Sequence, residues 1–191
     1  MPQGTFQSTY KLIDMKIVRI IEDTDSLLSV FNEDEKVSEL RSVFYKWNDV
    51  QRLYEFFKEN KKDLKGLSID TAIERTIEDA EQLEQLIKET ARSGSDNLQT
   101  IFKALSPSAY GLKTYQKEKA YGTVRKSWLR IYAIRIHENL YVITGGAIKL
   151  TRTMQERSHT NDELVRINAV RNHLKSLGFN EDDVKDLEIE L

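Results

Sequence analysis

The sequence predicts an α+β fold in which helices pack on an antiparallel sheet, and three observations predict it. Apolar, β-branched runs lie over 17–31 near the start and over 128–150 towards the end. Between them, apolar residues recur at three- and four-residue spacing, the period of an amphipathic helix. A T-x-x-E helix-start signature, Thr160 to Glu163, follows the second run. The 191 residues are expected to form one domain: a hairpin and helices over 1–107, a basic sheet and last helix over 108–179, and an acidic tail over 180–191.

Ile17–Ile21 and Leu27–Phe31 read as an opening β-hairpin, separated by the polar segment Glu22 to Ser26. From Val37 the period changes. Val37, Leu40, Val43, Phe44 and Trp47 share one helical stripe, and Asn48-Asp49 can cap a second helix using Val50, Leu53, Phe56 and Phe57. A long helix is expected from about Ile69 to Thr90, with an apolar stripe and an acidic opposite face. A short helix through Leu98, Ile101, Phe102 and Leu105 should stop at Ser106-Pro107. Residues 108–126 interleave tyrosines with lysines and glycines and have no assigned element. Trp128–Ile136 and Leu140–Leu150 then read as antiparallel strands around a tight turn at Glu138-Asn139, with Gly145-Gly146 marking a bulge or a close backbone approach. The last helix should begin near Asn161 behind the Thr160 cap and end at Gly178.

No cysteine is present, which removes disulfides, thiolate metal sites and cysteine nucleophiles and fits a reducing compartment. No run of 18 apolar residues and no apolar leader occur, so the expectation is a cytoplasmic protein with no membrane partner. Charge is segregated. Residues 109–178 hold 13 Lys and Arg against 5 Asp and Glu, whereas the remainder holds 16 against 26. A polyanion is the partner this asymmetry suggests for the basic part; docking against an acidic surface is the blander explanation.

The sequences YAIRI at 132–136 and LYVITGGAIKLTRTM at 140–154, followed by a cationic helix, resemble the C-terminal core of the RelE/HigB/ParE-like toxin superfamily. The resemblance implies a RelE/ParE-like core with an enlarged helical N-terminal half. It also implies a toxin-like protein of a type II toxin–antitoxin system, acting on RNA, on the ribosome in some members, as a metal-independent endoribonuclease. No cofactor is expected, and a cognate antitoxin protein is the implied partner. Such cleavage needs a base, an acid and cations around the phosphorane. By position, the matches are Arg130, Tyr132 and Arg135 on the first strand, with Lys149, Thr151 and Arg152 after the second. Strand alternation separates Arg135 from Arg130 and Tyr132, leaving Arg130, Tyr132, Lys149 and Arg152 as the catalytic set, on a sheet face taken to be open. Lys119, Arg125, Lys126, Arg157, His159 and Arg171 are the candidate RNA contacts. Alternatives are a ParE-like inhibitor of a protein target such as a topoisomerase, and a non-catalytic interaction module.

His137 and His173 read as surface residues, and the cluster around His159 lacks the three or four converging ligands of a zinc site. The GGAIKLT segment lacks the glycine spacing and Lys-Ser/Thr adjacency of a phosphate loop. Trp47, Trp128, Phe56 and Phe57 are expected in the core. The acidic tail is expected to be solvated, or to lie across the basic face as a weak phosphate mimic.

Overall fold

A computed structural model describes residues 15–93, 98–105, 114–122, 127–150 and 158–190. The chain opens with strands β1 (Ile17–Arg19), β2 (Leu27–Asn32) and β3 (Val37–Ser38). Helices α1 (Glu39–Asn48), α2 (Val50–Glu59), α3 (Ile69–Arg92) and α4 (Leu98–Ile101) follow. Strands β4 (Lys103–Ala104), β5 (Gln116–Tyr121), β6 (Leu129–His137) and β7 (Leu140–Ile148) lead to α5 (Ser158–Leu177). Local chemistry starts the helices where expected: Ser38, Asp49 and Ser68 accept from the backbone N–H three residues on, at 3.2, 3.0 and 3.1 Å.

The sheet runs β1-β2-β7-β6-β5-β4, with β3 paired to β2. It is mixed rather than wholly antiparallel. β2 pairs with β7 in parallel register, Leu27 to Tyr141, Leu28 to Val142 and Ser29 to Ile143. Parallel neighbours need a long crossover, and here the intervening helices and strands supply it. Alternation in sequence marks each strand but carries no information about its partner's direction. The β6–β7 hairpin forms at the expected turn. Its bulge also lies at the glycines, because register passes from Tyr132–Gly145 to Ala133–Ile143 and leaves Thr144 as the extra residue.

Both faces of the sheet are covered. Leu27, Leu129, Ile131, Ala133, Tyr141 and Ile143 pack against α1, α2 and α3. Leu28, Tyr132, Ile134, Ile136 and Val142 pack under Ile167, Val170 and Leu174 of α5. The two tryptophans belong to the core as expected: Trp47 meets Phe44 edge-on at 5.5 Å, and Trp128 meets Phe57 at 5.6 Å.

Three expectations are corrected, and one unassigned stretch gains an element. The short helix ends at Ile101, and Lys103–Ala104 turns into a strand because β5 offers Glu118 and Lys119 as partners. The unassigned 108–126 stretch contains β5 itself. Helix α5 starts at Ser158, so Thr160 is inside the helix rather than at its cap, and Glu163 turns inward. The sheet face holding Arg130 and Tyr132 is covered by α5 rather than open.

The tail is ordered as well. Residues Glu181–Asp186 form a 3-10 turn capped by Asn180 and Asp183, and Val184 is buried. Ile189 bridges Arg19 in parallel register, and the Glu190 carboxylate accepts from the Ser38 N–H at 2.6 Å. The end of the tail, residues 188–190, therefore lies along the β1 edge, whereas Glu181 at its start stands 2.9 Å from His137 at the end of β6. Burial of a valine side chain contributes about 1.5–3 kcal/mol. Val184→Asp is expected to free the tail and to speed its proteolysis by about tenfold or more. Wild-type resistance in that variant would overturn the docking.

Candidate functional site

Cross-strand partners share a sheet face, so the β5–β6 register decides which cations meet. Lys117 pairs with Ile134, Lys119 with Tyr132 and Tyr121 with Arg130. This places Lys117, Lys119, Tyr121 and Arg130 on the α5 side of the sheet. Tyr121 is 42% exposed. The Arg130 guanidinium lies 4.1 Å from its ring centroid and the Lys119 ammonium 5.6 Å. Arg130 is steadied by donating to the carbonyls of Ser127 and Leu129 at 2.9 and 2.6 Å.

Helix α5 extends the cationic row. Lys117 Nζ donates to Asn168 Oδ1 at 2.8 Å, and Arg171 Nε donates to the Tyr115 carbonyl at 2.8 Å. Burial, and then the Arg171 charge, lower the Lys117 pKa. Among the described residues, Lys117, Lys119, Arg130 and Arg171 form no ion pair with a carboxylate. The result is a strip of four cations along β5, with the exposed Tyr121 ring beside Arg130 and Lys119 at one end and Arg171 at the Tyr115 end.

A second feature adjoins the strip. Pairing between β2 and β7 stops at Ser29–Ile143, and beyond it the β7 edge faces α1, α2 and the start of α5. Here the Glu39 carboxylate accepts from Arg166 at 2.6 Å and from Asn32 at 3.2 Å. Glu163 is 8% exposed, 3.8 Å from Arg166, and its Oε2 has no hydrogen-bond partner among the described residues. Burial pushes its pKa up to about 7 against the pull of Arg166, with the Glu39 charge adding to the rise. Gly145, at φ +155°, leaves the room this carboxyl occupies, because a Cβ there would collide with it.

Glu163 lines a cleft of about 560 Å³ whose walls include Trp47, Arg52 and Phe56 from α1 and α2 and Gly146 and Ala147 from β7. Ala147 is the cross-strand partner of Arg130, so the row Tyr121, Arg130, Ala147 runs from the strip to the cleft.

Of the candidate residues, Lys119, Arg130 and Arg171 come together on one face. Tyr132 is 1% exposed beneath them; burial, and then the Glu163 charge, push its pKa upward. Lys149 follows β7 and donates its backbone N–H to the Trp128 carbonyl at 2.7 Å. Arg125, Lys126, Arg152 and Arg157 lie outside the described residues, as does the side chain of His159 in the first turn of α5. Arg135, set aside by alternation, lies on the opposite face in a buried pair with Glu118. Lys117 and Tyr121 were missed, although Lys117, Lys119 and Tyr121 carry a two-residue period. Glu163 was missed because its spacing from Thr160 fits a cap. Comparison with known proteins finds no matching family model, no matching curated protein and no matching solved structure.

Proposed function

We propose that this chain binds single-stranded RNA along the strip formed by Lys117, Lys119, Tyr121, Arg130 and Arg171. The observation that carries the reading is the exposed Tyr121 ring with the Arg130 guanidinium 4.1 Å and the Lys119 ammonium 5.6 Å from its centroid, and with no carboxylate within ion-pair distance of these cations among the described residues. A flat ring offers a base a stacking surface while the cations neutralise phosphates, the combination that single strands use and duplexes do not.

The test is fluorescence anisotropy with a labelled oligouridylate across a salt series. Each neutralised phosphate contributes roughly −0.7 to the slope of log affinity against log salt. Lys119→Ala with Arg171→Ala is expected to flatten that slope by about 1.4. Tyr121→Ala is expected to cost about 1–3 kcal/mol with little change in slope. Binding that ignores salt would remove the proposal.

Cleavage by the candidate set would require the buried Tyr132 hydroxyl to reach a substrate. Binding is therefore better supported than the endoribonuclease chemistry and antitoxin pairing that the family resemblance implies. Labelled RNA should remain intact in the presence of the protein, whereas discrete products would favour the toxin reading.

A further inference from the structure

We infer that the Tyr115 end of the strip is a phosphate-monoester site, where Lys117, Arg171 and Lys175 hold the terminal phosphate of the bound RNA strand. The inference rests on the RNA-binding reading and adds end recognition to it. The face along β5 is tied down at one end and open at the other. At the Tyr115 end the Tyr115 hydroxyl donates to the Phe179 carbonyl at 2.7 Å, Arg171 Nε to the Tyr115 carbonyl at 2.8 Å, and Lys117 Nζ to Asn168 Oδ1 at 2.8 Å. Towards Lys119 and Tyr121 no hydrogen bond joins β5 to α5 among the described residues. A strand lying along this face is free to continue past Tyr121, and at the other end it meets the Tyr115–Phe179 bridge.

Charge sets the same end apart. Asn168, Arg171 and Lys175 stand three and four residues apart on α5 and so share one side of it, and the Lys175 ammonium is 6.0 Å from the Tyr115 ring centroid. Burial, and then the Arg171 charge, lower the Lys117 pKa, so these two cations lie within each other's field. No carboxylate is within ion-pair distance of Lys117, Arg171 or Lys175 among the described residues. Asp183 acts instead on the Tyr115 hydroxyl, whose pKa it raises behind the larger effect of burial, and its own carboxylate accepts from the Asn180 N–H at 2.8 Å. Like charges held together in this way favour a partner with more than one negative charge. A phosphodiester carries one, whereas a terminal phosphate carries about 1.5 to 2 at neutral pH and offers three acceptor oxygens. Donors are at hand for it. Lys117 keeps two of its three N–H groups after the bond to Asn168, and both terminal nitrogens of Arg171 are without a partner among the described residues, the fork that grips phosphate side-on.

The experiment measures anisotropy on one internally labelled oligouridylate in three forms, with a 5′-phosphate, a 3′-phosphate or hydroxyls at both ends. A strand has one direction along β5, so one phosphorylated form is expected to bind roughly tenfold more tightly than the other two, the factor one further charge-assisted hydrogen bond supplies. Lys117→Gln should abolish that difference, and the remaining affinity for the hydroxyl strand shows that the variant is folded. Tyr121→Ala should weaken all three while preserving their ratio. Equal wild-type affinities, a gain shared by both phosphorylated forms, or a gain that survives Lys117→Gln would overturn the site and leave the strip standing. Should none of them bind, the strip reading fails by itself, and thermal unfolding with uridine 5′-monophosphate or 3′-monophosphate then decides the site. A saturable rise in Tm that uridine does not give and that Lys117→Gln abolishes upholds it, and its absence overturns it.

Discussion

Arg135→Ala is expected to destabilise the protein by about 3–5 kcal/mol, the range for removing one member of a buried ion pair. Arg135 and Glu118 are each 4% exposed, with Nε 3.3 Å from Oε1, and a second guanidinium nitrogen donates to Gln116 at 3.2 Å. The pair lies on the sheet face that α1, α2 and α3 cover. Without the guanidinium, a buried carboxylate keeps only the weaker attraction of the Lys103 charge. Burial already raises the Glu118 pKa against the pull of Arg135, so the stranded group takes up a proton as pH falls and the deficit narrows under acid. Replacing both, Arg135→Met with Glu118→Leu, should cost much less than the single change, because no unpaired charge remains. Urea unfolding at neutral pH measures each variant. A single variant within about 1 kcal/mol of wild type would mean that the pair behaves as a solvated surface bridge.

Glu163→Gln is expected to act in the opposite direction, stabilising the fold by about 3 kcal/mol above pH 7 and by little under acid. Folding raises this carboxyl from 4.5 to about 7, chiefly by burial, with Arg166 and Lys46 opposing and Glu39 and Asp162 contributing. Between those two values the folded chain holds a proton that the unfolded chain has released. Wild-type stability therefore declines as pH rises through that window, and the glutamine variant lacks the decline. The Glu39–Arg166 bridge, at 2.6 Å, stays available in both proteins. Thermal unfolding at about pH 4 and about pH 8 checks the expectation. Parallel stability curves for the two proteins would place the carboxyl in solvent rather than under α5.

Much of the fold was legible because side-chain direction within an element is a local property. Apolar, β-branched runs marked β2, β6 and β7, three- and four-residue spacing marked α1 to α3, and Asn48-Asp49 marked the start of α2. Gly145-Gly146 announced an irregularity, and the structure places a bulge there, beside the carboxyl of Glu163. The cationic strip was half legible: Lys119, Arg130 and Arg171 stood out as cations, but their convergence depends on β5 pairing with β6 and on α5 crossing that pair.

By itself, the sequence determined an α+β chain, the kind and order of its longer elements, the segregation of its charge and the opposite facing of Arg130 and Arg135. Tertiary structure alone decided that β2 joins β7 in parallel, that α5 buries Tyr132, that the acidic tail docks on β1, and that Glu163 is a buried acid beside a cleft. Strand partnership and burial arise from contacts between residues far apart in the chain. Local periodicity records which way a side chain points, not what comes to cover it.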